Sequence, residues 1–227
     1  MPERRDSLYG RRRGRPLSPR RAALLANELP RLVIDVAQPS PDDVASLFPD
    51  LPDRVRLEIG FGGGEHLFAR ALAEPDAGFI GVEPFVDGMA KAVAAIVDGK
   101  IENVRLYDGE ASLLLDWLPG AALDSVDILY PDPWPKKRHW KRRFISPENL
   151  ASLARVLKSG GDLRFASDIP SYVEWTLRLI LGHADFVWTA ERAANWTMPF
   201  PGWPGTRYEA KALKAGRTPT YLAFKRL

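Results

Sequence analysis

RVRLEIGFGGGE, residues 54–65, reads as a β-strand that runs into a glycine-rich turn. Glycines let the backbone turn tightly and approach a ligand closely. A dinucleotide fingerprint beginning at Gly60 requires another glycine at position 65, where this chain has Glu65. A glutamate there would face a pyrophosphate at the start of the next helix, which is unfavourable. The turn instead has the spacing G-x-G-x-G over Gly60, Gly62 and Gly64, with Glu58 two positions ahead of it. By itself such a turn is also compatible with a plain tight bend.

Outward from this turn, strand and helix signals alternate. HLFARALA (66–73) is helical, GFIGVE (78–83) is a strand, and residues 86–97 form an Ala-rich helix. NVRLYDG (103–109) is a third strand, followed by a short helix over 111–117 and a fourth strand, SVDILYPD (125–132). Ser146, Pro147 and Glu148 open a helix predicted to run to Lys158 and to stop at Gly160 and Gly161. A fifth strand (162–168), a helix (170–182) and two strand-like pieces (186–192 and 220–225) complete the pattern. This alternation predicts an α/β, Rossmann-like fold: a mostly parallel twisted sheet with helices on both faces. Residues 1–20 read as a flexible basic arm, 21–52 as a helix ending near Pro30 plus a Pro-rich linker, and 53–227 as the Rossmann-like domain. Ligands on such sheets bind at the carboxyl ends of the strands.

The unusual residues fall at those ends. Glu83 closes the second strand, where a carboxylate can accept hydrogen bonds from both ribose hydroxyls. Glu110 follows the third strand. After the fourth comes PDPWPKKRHWKRRF, residues 131–144. Its alternating prolines fix φ and forbid both a helix and a paired central strand, so they predict a rigid, extended lip carrying Asp132. Trp134 offers a flat surface for a base. Residues 134–143 hold six Lys or Arg and no acid, and residues 1–21 carry another +6. The whole chain is only +3, so the remainder is −9. An acidic body with two concentrated basic segments points to a polyanion bound at defined places. The N-terminal run alone is equally compatible with a solvated tail.

These motifs resemble the tRNA (guanine-N7-)-methyltransferase family of class I methyltransferases, the bacterial type that modifies the variable-loop guanosine. The matching pieces are GRRRGRPLSPR, LEIGFGGGE, IGVE, PDPWPKKRHWKRR, ASD and TRYEAKAL, spread over roughly residues 8–227. The resemblance implies S-adenosyl-L-methionine as cofactor, a ligand that carries a sulfonium and no phosphate. It places cofactor contacts on Glu58, Glu83, Glu110 and Asp132 together with the turn glycines Gly60, Gly62 and Gly64. It places tRNA contacts on Lys136, Asp168, Thr206, Arg207, Tyr208 and Glu209. The third cofactor acid is commonly Asp in the family and is Glu110 here.

N7 of guanine has a free lone pair and carries no proton, so alignment, and not proton removal, is the task. Asp132 is the first candidate to face the positive charge that develops on the ring, and Asp168 the second. SDIPSY also gives Asp168 the chemistry of a helix N-cap. Base flipping toward Trp134 or Tyr208 is expected. On composition alone, the stretch from Thr206 to Arg217 reads as an exposed charged loop, and Trp196 and Trp203 as packing for a long loop. Competing readings are a nucleotide-cofactor oxidoreductase, opposed by Glu65, a non-catalytic RNA-binding module, opposed by the acids, and another base methyltransferase with an Asp-Pro-Pro-aromatic loop. There is no cysteine, which removes disulfides and thiolate chemistry. His66, His139 and His183 have no metal-ligand spacing. No apolar run is long enough to span a bilayer, and no apolar segment follows the Arg-rich start. The expectation is a cytoplasmic enzyme, monomer or homodimer, with tRNA as partner and neither metal nor membrane.

Overall fold

The computed structural model of the chain describes residues 12, 14 and 16–227. Most of the basic arm expected over 1–20 lies outside the described residues. Seven strands form one sheet in the order β3-β2-β1-β4-β5-β7-β6. They are β1 (Arg54–Ile59), β2 (Ala77–Val82), β3 (Val104–Tyr107), β4 (Leu123–Leu129), β5 (Leu157–Ser167), β6 (Phe186–Trp188) and β7 (Thr220–Arg226). The first five run parallel, and β7 is antiparallel to both β5 and β6.

Both faces are covered. On one lie α1 (Pro19–Leu32), α2 (Glu65–Ala73) and α3 (Val86–Gly99), which share a buried cluster with Leu67, Phe79, Val93 and Leu106. On the other lie α4 (Ala111–Trp117), α5 (Pro147–Val156) and α6 (Pro170–Leu181), whose Leu114, Leu153 and Tyr172 share a buried cluster with Val55, Leu57 and Ile59 of β1 and Phe165 of β5. The chain winds from β1 out to β3, then crosses back to place β4 on the free side of β1. That reversal opens a crevice beyond the carboxyl ends of β1 and β4. The glycine turn leaves β1 there and the proline lip leaves β4.

Three boundaries differ from expectation. The first helix continues through Pro30 to Leu32. Pro30 sits in the last turn, where its missing N–H forgoes one intrahelical hydrogen bond, and buried Leu32 with Leu25 and Leu29 packs that end onto the core. The helix expected to reach Lys158 ends at Val156, and β5 runs straight through Gly160 and Gly161. A register shift between Leu123 and Ser125 lies opposite this stretch, so the glycines, with Gly160 at φ +76°, serve a strand irregularity and not a helix stop. The supposed loop after Thr206 is a helix, α8 (Arg207–Lys214). A shorter helix, α7 (Ala194–Thr197), precedes it. In the Pro-rich linker a single 3-10 turn forms at Val44–Leu47.

Candidate active site

The turn after β1 is left-handed three times, at Gly60 (φ +76°), Gly62 (φ +61°) and Gly64 (φ +81°). A side chain at each would cost roughly 1–2 kcal/mol in backbone strain alone. Glu83, at the end of β2, ties this turn down. Its Oε2 accepts the Gly62 N–H at 2.7 Å and its Oε1 accepts the Phe85 N–H at 3.0 Å. Burial pushes the Glu83 carboxyl above the usual carboxylate range, and these two N–H donors pull it back. Gly88, on the first turn of α3, completes the contact. A β-carbon there would lie 2.4 Å from the Gly62 carbonyl oxygen and 2.8 Å from Glu83 Cγ. α3 therefore reaches the turn only because residue 88 has no side chain, a role that a glycine inside a helical pattern does not announce.

The lip is bracketed by two left-handed residues that are not glycine, Tyr130 (φ +51°) and Trp134 (φ +43°). Such conformations cost about 1–3 kcal/mol each and persist only where the surroundings impose them. Asp132 is exposed between them on the wall of the crevice. The basic run that follows is a 3-10 helix, Lys137–Arg142, with Lys136, Lys137, Arg138 and Lys141 exposed. Arg142 lies 4.9 Å over the Trp134 ring, so one face of the expected base platform is already covered. Arg143 belongs to the basic segment expected to meet a polyanion and is instead buried, 2% exposed, against α6. The reason is its stacking on Trp140 and Tyr172, at 4.4 and 4.7 Å.

The start of α8 forms the opposite wall. Thr206 caps it, its Oγ1 accepting the Glu209 N–H at 3.0 Å. Arg207 Nε donates to Glu65 Oε1 at 2.6 Å, joining α8 to the start of α2. The Tyr208 ring lies over Gly62, close enough that a β-carbon at Gly62 would come within 3.0 Å of its Cε2. Together these walls enclose an open cavity of about 700 Å³ bordered by Gly60, Glu83, Glu110, Asp132, Arg142 and Tyr208. A β-carbon at Gly60 would meet no protein atom within 4 Å, so it would occupy cavity space. Glu65 stands at the start of α2, where a pyrophosphate would lie in a dinucleotide site, and the cavity volume suits a nucleoside ligand. This donor set fits a cationic, phosphate-free nucleoside such as S-adenosyl-L-methionine. Among the described residues no group of three or more His, Cys, Asp or Glu could hold a metal ion, and no helix is long and apolar enough to cross a membrane.

Residues 52–222 match a family model described as "Putative methyltransferase". A tRNA (guanine-N(7)-)-methyltransferase from Rhizobium meliloti (strain 1021) is 58% identical over 221 residues, covering 97% of this chain and 95% of that protein. One from Azorhizobium caulinodans is 55% identical over 225 residues, covering 99% and 97%. This chain belongs to the tRNA (guanine-N(7)-)-methyltransferase family. Solved structures at lower identity show the same fold. They include an rRNA methylase from Streptococcus thermophilus (TM-score 0.53, 13% identity, 81% of this chain and 91% of that one). Another is a 16S rRNA (adenine(1408)-N(1))-methyltransferase variant from Catenulisporales acidiphilia with cosubstrate SAM (TM-score 0.52, 16% identity, 78% and 86%).

Within this methyltransferase the residues singled out from sequence separate into groups. Gly60, Gly62, Glu83, Glu110, Asp132, Arg207 and Tyr208 border the cavity. Glu58 lies behind the turn, buried, with Oε2 hydrogen-bonded to His66 Nδ1 at 2.7 Å. Burial raises its carboxyl above the ordinary range, against the pull of His66. Gly64 caps α2. Lys136 is exposed at the start of the 3-10 helix. Asp168 does not cap α6: Ile169 holds the cap position, its N–H donates to Ser167 Oγ, and Asp168 pairs with Arg217 at 2.5 Å. Trp203 packs against Phe200 and Tyr221, and Trp196 against Trp188, as loop packing requires.

Glu209 points inward, where it accepts Trp203 Nε1–H at 2.8 Å and the Tyr221 hydroxyl. It thereby anchors the helix that presents Arg207 and Tyr208. Glu209→Ala leaves one buried and one half-buried donor unpaired and is expected to cost about 3 kcal/mol, lowering Tm by roughly 6–12 °C. Calorimetry checks this; an unchanged Tm would show that Glu209 is not the anchor.

Proposed function

We propose that this chain transfers the methyl group of S-adenosyl-L-methionine to N7 of the variable-loop guanosine of tRNA, in the cytoplasm. The observation that carries the reading is one cavity. It brings the acids after β2, β3 and β4 together with the glycine turn, under a basic 3-10 helix on one side and Tyr208 on the other. S-adenosyl-L-methionine supplies an electrophilic methyl group on a positively charged sulfur. Glu83 retains a free lone pair on each carboxylate oxygen beyond its two N–H bonds, enough to accept the two ribose hydroxyls. Glu110, at the N-terminus of α4, borders the adenine end.

Asp132 faces the guanine. The base needs no deprotonation, so the carboxylate acts through charge: the ring turns cationic as the methyl arrives, and Asp132 holds that state more strongly than the neutral ground state. Lys136, Lys137, Arg138 and Lys141 take phosphates and set the register of the RNA. Tyr208 and Trp134 receive the unstacked base. Incubating unmodified bulk tRNA with the protein and S-adenosyl-L-methionine, then analysing the nucleosides by mass spectrometry, is expected to yield 7-methylguanosine. A different methylated nucleoside in its place would refute the N7 assignment.

A further inference from the structure

We infer that Arg143 is a positioning residue for the reaction: it fixes the Asp132 lip to α6 from behind. Of the five residues 131–135, the three prolines Pro131, Pro133 and Pro135 have no N–H, so this segment has few donors with which to tie itself down. It must be held largely through its carbonyls. Arg143 Nε donates to the carbonyl of Pro133, the residue after Asp132, at 3.0 Å. Its other nitrogens reach α6, donating to the Ser171 carbonyl at 2.8 Å and to Ser171 Oγ at 3.1 Å. The guanidinium lies among three aromatic rings, Trp140, Tyr172 and Trp175, at 4.4, 4.7 and 5.6 Å.

A buried cation is a poor way to gain stability, because an apolar side chain of similar size does as well or better. Only a planar fork that stacks and donates in several directions at once can span from the lip to α6, and lysine cannot copy it. The fork meets the chain one residue before Trp134, whose left-handed backbone closes the lip. The burial that removes Arg143 from the RNA surface is what gives it this second task.

This inference rests on the reading that Asp132 stabilises the developing charge, and a double-mutant cycle separates the two. Arg143→Lys is expected to lower kcat about 100-fold, as expected for an acid displaced by about 1 Å. KM for tRNA and the salt dependence of tRNA binding should stay near wild type, since no phosphate contact is lost. In an Asp132→Asn background the same substitution should have little further effect, because the two act as one unit. Ser171→Ala, which removes a single bond to the fork, is the milder companion should Arg143→Lys not fold. It is expected to lower kcat in the same direction by a smaller factor.

Wild-type kcat in Arg143→Lys, or in a well-folded Ser171→Ala should Arg143→Lys not fold, overturns the inference. So does a 100-fold fall that persists in the Asp132→Asn background, or a reduced salt slope that makes Arg143 a phosphate contact. An Asp132→Asn protein of wild-type activity would instead remove the reading on which the inference rests, whatever Arg143→Lys does.

Discussion

Asp132→Asn is expected to lower kcat for methyl transfer to tRNA by about 10²–10³-fold, the loss typical of removing one electrostatic stabiliser from an active site. The substitution keeps the shape of the side chain, exchanges one acceptor oxygen for an amide donor and removes its charge. Asp132 stands at the carboxyl end of β4, on the cavity wall between two left-handed residues, Tyr130 and Trp134. Its place is set by backbone that was already strained, so the variant should not relax the lip. The guanine is neutral before transfer and cationic after it, so the missing charge matters mainly in the transition state. KM for tRNA should therefore change little while kcat falls, the signature of an interaction made only in the transition state. A proton-abstracting base would behave differently: raising the pH would recover part of the lost rate. No such recovery is expected, because N7 has no proton to lose. Single-turnover rates across pH check both statements, and a variant within about threefold of wild-type kcat would remove Asp132 from the chemistry.

The second large effect belongs to the methyl donor. Glu83→Ala is expected to weaken S-adenosyl-L-methionine binding by about 100-fold, the equivalent of two charge-assisted hydrogen bonds lost from the ribose. Glu83 also holds the turn, through the N–H groups of Gly62 and Phe85. Leaving both unpaired costs roughly 1–3 kcal/mol each if water does not reach them. The alanine variant should therefore lose Tm as well as affinity. Glu83→Gln, which keeps one carbonyl acceptor, should fall between alanine and wild type on both measures. Titration calorimetry with S-adenosyl-L-methionine, alongside thermal unfolding, separates the two contributions. An alanine variant with wild-type affinity would mean that the ribose is held elsewhere.

How much of this was legible depended on whether the cause was local. The glycine turn could be read because positive φ is a property of the residue itself, and Gly60, Gly62 and Gly64 all take it. Glu83, Glu110 and Asp132 could be read because a parallel sheet places whatever follows each strand at the same end. Arg143 could not: in PKKRHWKRR six cations look alike, and the one that turns inward is chosen by Tyr172 and Trp175, which lie on another helix. Gly88 was invisible for the same reason, since its neighbour is the distant Gly62 carbonyl. The helix α8 was missed although its signal is local. Thr206-x-x-Glu209 has the residue types of a capping box, and Thr206 does cap the helix, but the charged composition of 206–217 masked it. The helix stop assigned to Gly160 and Gly161 failed because glycine also serves a strand irregularity, and only the partner strand decides between the two.

The decisive property of this enzyme is which atom receives the methyl group. The most direct measurement uses a single tRNA transcript with S-adenosyl-L-methionine, analysed by mass spectrometry of its nuclease fragments, beside a second transcript whose variable-loop guanosine is replaced by 7-deazaguanosine. The account predicts one methyl group, as 7-methylguanosine in the variable-loop fragment of the first transcript, and none in the second, which lacks the N7 lone pair. Equal methylation of both transcripts, or methylation of the first at a base outside the variable loop, would contradict it.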